Sequence, residues 1–472
     1  MLPRMSLRVR IALDWVLLVV PACLSAQQGA HEPVLVSQET SYDQAITHVT
    51  VIDPRSGGVE HHDWTLVLRG NKIVFCGSSK SARVPSDATI HNETGRYVIP
   101  GLWDSHVHLS QAGASAFPLF LQNGVTGVRD MGSVLAEIRT WQAEKRAGAL
   151  IPRIITPGPK LDVVPPEDKQ EAIRLPDNVI LTTPQEAKAE VDLLKKEGVD
   201  FIKVHNGMTP MIYAAVAQES KAVGLPFAGH LPVAGALAAA DAGQRTIEHG
   251  VSYGSVGMLM CSAATWHRIE TDPAARACER YCAPLPMQPL IFPAMVRAHV
   301  WFTPTLVSFR GHLVGTPELP DWRAISGSTE GYPALLKHWH DPLFSNEELP
   351  TPFEQQLIHQ LSGLAAAGSK AGVHLLAGSD LGDPYVIPGF ALHDELELMV
   401  KAGVPTLTAL QSATSEPAEA FGLSDQVGSV TAGHTADLVV LDADPLISIA
   451  NARKIHAVLL EGRWIILDTR QP

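Results

Sequence analysis

Apolar and polar positions along the chain follow two rhythms. From about residue 43 to 97 the pattern is short and β-branched: "AITHVTVID", "DWTLVLRGNKIVFCG" and "TIHNETGRYVIP". Glycine and asparagine turns separate these runs, as they separate the strands of hairpins. The tail repeats the pattern in "GSVTAGHTADLVVLDADP" and "IHAVLLEGRWII". The spacing predicts a small β-module built from both chain ends, 43–97 with 425–472, which brings the termini together.

Between these ends, over 98–424, apolar runs alternate with helical stretches. The runs are "GLWDSHVH", "GVTGVRD", "RIITPG", "DFIKVH", "PFAGH", "RTIEH", "VWFTPTL" and "VHLLAGSD". Segments such as "VLAEIRTWQAEKRAG", "TPQEAKAEVDLLKKEG" and "FEQQLIHQLSGLAAAG" separate or follow them with helical periodicity. Eight strands with intervening helices predict an α/β fold, a (β/α)8 barrel. An open doubly wound sheet is the rival, but no glycine-rich phosphate loop follows the first strand. Two segments, about 251–298 and 307–352, are long for simple connections and are expected to shape a site or to lie disordered.

The barrel reading gives the polar strand ends a meaning. His106 and His108 are two residues apart, so in a strand both face the same side. Imidazoles placed together suit a divalent metal, although a histidine pair in a loop has the same spacing. His230, His249 and Asp380 end three further runs, and Lys203 lies inside "DFIKVH". Barrel enzymes carry their chemistry at the C-terminal ends of several strands. A buried lysine tends to lose its proton. In that state it can take up carbon dioxide as a carbamate, an anionic ligand able to bridge two metals. The other reading is a lysine whose ammonium reaches solvent along its aliphatic stem.

The chain is similar to the amidohydrolase superfamily, in the branch with carboxylated-lysine binuclear sites. Within it the likeness is greatest to imidazolonepropionase-related hydrolases, including the Xaa-Pro dipeptidase-like and arginine carboxypeptidase-like enzymes. The resemblance runs from about 43 to 465 through "PGLWDSHVH", "GVTGVRDMG", "FIKV", "GH", "IEHG", "AGSD" and "PAEAFGLSDQVGSVTAGHTADLVVLDADPL". It implies a distorted TIM barrel flanked by a β-sandwich from both chain ends. It implies that His106, His108 and Asp380 hold the more buried metal and that His230 and His249 hold the other. Carboxylated Lys203 and a hydroxide would bridge the two, and Asp380 would act as general acid and base. Zinc suits these ligands best, with manganese or cobalt able to substitute. The implied reaction is hydrolysis of an amide or peptide C–N bond in a dipeptide or N-acyl amino acid. Cyclic amide hydrolysis or deamination on the same scaffold is the alternative. The family also implies a homo-oligomer.

Two departures bear on specificity. The fifth strand ends in "GHLP", with Leu231 and Pro232 where dipeptidase-like relatives carry "HAY" or "HAH". Lys203 is followed by "VHNGMTP" rather than a glycine-serine-rich loop. His205, Arg310 and Tyr385 are the candidate substrate contacts, Arg310 because a substrate carboxylate favours a guanidinium. Arg129 and His393 are further candidates for the pocket, Arg129 with a structural reading beside it.

Composition narrows the class. The 472 residues are 46% hydrophobic and 18% charged, ordinary for a globular protein, and carry a net charge of −13. No basic patch suggests nucleic acid. A basic start (Arg4, Arg8, Arg10), an apolar stretch over 11–20 and the small residues of "ACLSAQQ" predict an export signal over 1–26. Acylation at Cys23 would instead tether the protein to a membrane. In an exported protein Cys261, Cys278 and Cys282 are able to form one disulfide, and Cys278 with Cys282 form a weak zinc motif.

Overall fold

Alternating strands need partners to bury one face, and the two chain ends supply them to each other. The computed structural model describes residues 36–37, 43–163, 176–232, 235–250, 288–311 and 352–466, with scattered positions between 313 and 327. The predicted export signal, Cys23 and the three clustered cysteines lie outside the described residues, as does most of both long insertions. Among the described residues no helix is long and apolar enough to cross a membrane.

The N-terminal strands are β1 (Val36–Ser37), β2 (Asp43–Ile52), β3 (Glu60–Arg69), β4 (Lys72–Ser78), β5 (Thr89–Asn92) and β6 (Tyr97–Pro100). Next come nine short strands: β7 (Leu102–Val107), β8 (Val125–Asp130), β9 (Arg153–Ile155), β10 (Lys160–Asp162), β11 (Asn178–Ile180), β12 (Ile202–Val204), β13 (Phe227–Gly229), β14 (Thr246–Glu248) and β15 (Trp301–Thr303). The tail adds β16 (Leu438–Leu441), β17 (Ile455–Leu460) and β18 (Arg463–Ile466).

Nine strands from both ends form one mixed sheet in the order β1-β18-β17-β16-β6-β2-β3-β4, with β5 paired to β2. Antiparallel β6 and β16 join the two ends, Ile99 opposite Val439. Ile46, Leu66, Ile73, Val98, Leu438 and Leu459, from six of these strands, share one buried cluster.

The middle of the chain is parallel. β7, β8 and β9 form one sheet, and β11-β10-β12-β13-β14-β15 form another. The eighth apolar run appears not as a ladder strand but as a linker: Leu375 bridges Phe302 in β15, and Leu381 bridges Val107 in β7. The amide of Asp380 donates to the His106 carbonyl (2.8 Å), and that of Ser105 to the Ala377 carbonyl (2.9 Å). Strands β10 and β11 were not expected, because "KLD" and "NVI" are too short for periodicity to register. Parallel strands must bury both faces, and β7, β8, β12, β13, β14 and β15 are buried at every position.

The helices between them start and stop where the sequence says they should. Thr183 caps helix Pro184–Glu197 in a reciprocal capping box with Glu186, and Gly198 ends it in the left-handed conformation. Thr209 accepts from the Ile212 amide to cap helix Pro210–Val223, and Gly224 ends that helix in the left-handed conformation. Threonine caps satisfy an orphan amide at each start, worth about 1 kcal/mol apiece, and proline at the first turn loses no needed donor.

Candidate metal centre

Several strand ends deliver polar side chains to the same place. His106 and His108 leave β7, Lys203 projects from β12, and His230 and His249 directly follow β13 and β14. Asp380 comes from the linker beside β7. Its Oδ1 lies 3.3 Å from His106 Nε2 and 3.4 Å from His108 Nε2. Its Oδ2 lies 3.5 Å from His249 Nδ1. The His249 ring is 4.7 Å from that of His106 and 4.9 Å from that of His230. His106, His108 and Asp380 each place a ligand atom within 4.8 Å of the others.

The donor set fits a cation. His106 Nε2 and Lys203 Nζ are both fully buried and lack hydrogen-bond partners. A buried polar atom without a partner costs about 1–3 kcal/mol, so such a pair beside a carboxylate points to something that binds there. Burial holds the imidazoles neutral: it pulls His106 and His230 well below their ordinary range, with Lys203 and His205 respectively the next contributors. Burial likewise lowers His108 to about 4 and His249 to about 3. Neutral imidazole is the form that binds metal. Lys203 is drawn down to about 8 by burial, against the pull of Glu248 and Asp380.

The remaining ring nitrogens are tied down. His108 Nδ1 donates to the Gly132 carbonyl (3.1 Å), His230 Nδ1 contacts Asn206 Oδ1 (2.9 Å), and His249 Nδ1 contacts the Thr305 hydroxyl (2.7 Å). His249, Thr305 and Asp380 adopt positive φ, +61°, +48° and +59°. Such backbone costs non-glycine residues about 1–3 kcal/mol each and concentrates at functional sites. Glycine is required next to the ligands. A Cβ at Gly378 would come within 2.7 Å of His106 Cβ, and one at Gly229 within 1.9 Å of the Val204 carbonyl.

The expected pocket residues divide. His205 joins the cluster: its Nδ1 donates to Asp162 Oδ1 (2.8 Å) and its ring lies 4.3 Å from that of His230. Arg310 is turned to Asp394 on helix Phe390–Ala402, at 2.6 Å. Tyr385, at φ +66°, lies beside Gly311, next to Arg310. His393 is not brought to the cluster. It is buried with its Nε2 bonded to the Asn123 carbonyl (2.9 Å).

Several supporting carboxyls escaped the sequence reading. Asp104 is fully buried, accepts from the Ser379 amide (2.9 Å), the Ser379 hydroxyl (2.6 Å) and the His106 amide (3.3 Å), and is pushed up to about 7 by burial. It ties the His106 strand to the Asp380 segment. Glu248 contacts His106 directly, at 3.0 Å. The available signal was an acid inside an otherwise apolar strand, "LWDSHV" and "TIE".

Glu395 is a third. Its Oε2 accepts from the Val307 amide (2.8 Å), while its buried Oε1 has no hydrogen-bond partner. Burial raises its carboxyl to about 8. The folded protein therefore keeps this proton over a range in which the unfolded chain has released it. Stability falls with rising pH wherever the native state binds more protons. Glu395→Gln removes that loss. Its melting temperature is expected to gain on the wild type between about pH 5 and about pH 8. A difference that stays constant across that range would refute the protonated state.

The amidohydrolase family (Amidohydro_1) matches residues 97–465. A candidate prolidase from Bifidobacterium longum superposes with a TM-score of 0.67 at 24% identity, covering 90% of this chain and 95% of its own. A Xaa-Pro dipeptidase with methionine bound in its active site gives 0.66 at 20% identity, covering 90% and 100%. At these identities the likeness is one of fold. Adenine deaminase 1 of Desulfotalea psychrophila is 37% identical over 71 residues, 15% of this chain and only 11% of the deaminase. The family match spans most of the chain, including every strand end described above: the chain belongs to the amidohydrolase family.

Proposed function

We propose that the protein is a binuclear metal hydrolase that cleaves the amide or peptide C–N bond of a small molecule, a dipeptide or N-acyl amino acid. The observation that carries the reading is Asp380 Oδ1 facing two histidine Nε2 atoms beside the unpartnered Lys203 Nζ. His106, His108 and Asp380 would hold one ion, and His230 and His249 the other, with zinc the best match to imidazole and carboxylate. Bound divalent ions supply Lewis acidity, lowering the pKa of water toward about 7 and polarising the scissile carbonyl.

The chain's own residues do the rest. Lys203, neutral in part near pH 8, attacks carbon dioxide through Nζ. An N–C bond forms, one proton leaves to solvent, and the resulting carbamate offers two oxygens where a bare amine offers one nitrogen. Asp380 takes the proton of the attacking water at Oδ2 and returns it to the leaving amine. Burial of the cluster excludes bulk water, which strengthens each of these interactions. His205, held by Asp162, is the substrate contact this reading favours, while Arg310 is engaged by Asp394.

The fold is read in the same terms. With 374–381 as the eighth strand, the parallel strands close as a distorted (β/α)8 barrel over 98–424. The nine-stranded sheet folds on itself as a sandwich from 43–97 and 425–472, an arrangement its shared buried cluster supports. Export, with removal of residues 1–26, and assembly into a homo-oligomer complete the proposal.

The test is a hydrolysis screen of dipeptides, N-acyl amino acids and lactams with metal-analysed protein. About two ions per chain and amine release from an open-chain amide are expected, as for a two-metal site. Chelation is expected to abolish turnover and added zinc to restore it. Activity that persists through complete metal removal would overturn the reading. Release of ammonia from a nucleobase would replace it with deamination.

A further inference from the structure

We propose that Glu248 and Arg129 are positioning residues of the metal centre: Glu248 fixes His106 with its Nε2 lone pair facing the site, and Arg129 holds Glu248 in place. The inference rests on the metal reading above and adds to it the device that sets one ligand's strength.

His106 is backed from within. Its Nδ1 lies 3.0 Å from Glu248 Oε2, and both side chains are fully buried. A carboxylate beside a guanidinium only accepts, so Nδ1 carries the hydrogen and Nε2 is bare. That Nε2 has no partner of its own other than the neighbouring Asp380 oxygen. Among the four imidazoles assigned to the ions, the other three are backed by neutral groups: the Gly132 carbonyl, the Asn206 amide and the Thr305 hydroxyl. His106 alone has a carboxylate from outside the ligand set. A carboxylate behind an imidazole fixes the tautomer and makes the opposite nitrogen a stronger base.

The carboxylate is itself secured. Arg129 Nη2 lies 3.0 Å and 2.9 Å from the two Glu248 oxygens. Its Nη1 donates to the Thr246 hydroxyl (2.8 Å) and its Nε to the Ser105 carbonyl (2.5 Å). Thr246 in turn donates to Glu248 Oε1. The guanidinium also lies over the Phe421 ring, 5.2 Å from its centroid. Arg129 therefore links β7, β8 and β14 with its own bonds and cancels the Glu248 charge. A uniquely oriented buried carboxylate needs such compensation, since an unpaired one would cost several kcal/mol.

An ion pair with a merely structural role predicts a different outcome from one that tunes His106. The double variant R129M/E248M removes both charges and fills the space with apolar atoms, a replacement that often leaves stability unchanged. Apo wild type and variant are titrated with zinc against a chromophoric chelator, and the cobalt-loaded forms are compared by their d–d absorption. The double variant is expected to keep its melting transition, to bind its tighter zinc roughly 10- to 100-fold more weakly, and to shift the cobalt spectrum. The single variant E248Q keeps the shape but removes the charge. It leaves the buried Arg129 charge uncompensated, so it is expected to weaken zinc binding in the same direction and by at least as much, and it serves as the readout should the double variant not fold. Wild-type zinc affinity and an unshifted spectrum in the folded variants would overturn the inference. Failure of the wild type itself to take up zinc would overturn the metal reading instead.

Discussion

Lys203→Ala is expected to cost the protein both its metal and its activity, and short carboxylates are expected to restore a part of each. The physical case begins with the strand. β12 is buried at every position, and Lys203 stands opposite Lys160 in β10 and Ala228 in β13. Lys203 Nζ has no hydrogen-bond partner there. A lysine retained in such a place, its ammonium weakened to about 8 by burial, is suited to react and unsuited to structural support. On the proposed reading alanine would remove the anchor of the bridging carbamate, and acetate or propionate would offer the same two oxygens in its place. Metal analysis should show a fall from about two ions per chain, the count of a two-metal site, and turnover should rise on adding propionate. Full metal occupancy and full turnover in Lys203→Ala would remove the lysine from the centre.

Asp380→Asn is expected to preserve the fold and to lower turnover about a hundredfold or more, the usual contribution of a general acid-base group. A hundredfold corresponds to about 2.7 kcal/mol of transition-state stabilisation. The amide keeps the shape of the side chain, and the backbone at φ +59° tolerates asparagine at least as well as aspartate. What is lost is the ability to accept a proton at Oδ2. Steady-state kinetics on metal-analysed, folded protein checks this. Turnover near the wild-type value would leave Asp380 as a ligand at most.

Much of this centre could be read along the chain. Parallel strands buried on both faces must be apolar, so a polar residue at the end of each run stands out. His106, His108, Lys203, His230, His249 and Asp380 were all visible in that way, and the structure brings them together. Their supports were not. Glu248 meets Arg129 across 119 residues and His106 across 142, and Asp104 meets Ser379 across 275. No local pattern encodes such a partner. Arg310 shows the same limit from the other side. A guanidinium after the seventh strand was a sound candidate for a substrate carboxylate, yet 84 residues later the chain supplies Asp394 to bind it. The linker 374–381 read as a strand because its composition is that of one, although it pairs with its neighbours through isolated bridges rather than a continuous ladder.

The division follows from the range of the forces. Strand and helix periodicity, caps such as Thr183 and Thr209, and the side on which His106 and His108 point are set by bonds and sterics within a few residues. The sequence alone therefore carried the alternation of strands and helices, the α/β class and the six polar residues that the fold gathers in one place. Which ring nitrogen of each histidine is free, which carboxyls keep their protons, and where positive φ is tolerated depend on desolvation and on partners folded in from elsewhere. Those were decided only when the strands packed: His106 received Glu248, Glu248 received Arg129, and Lys203 was left with no partner at Nζ.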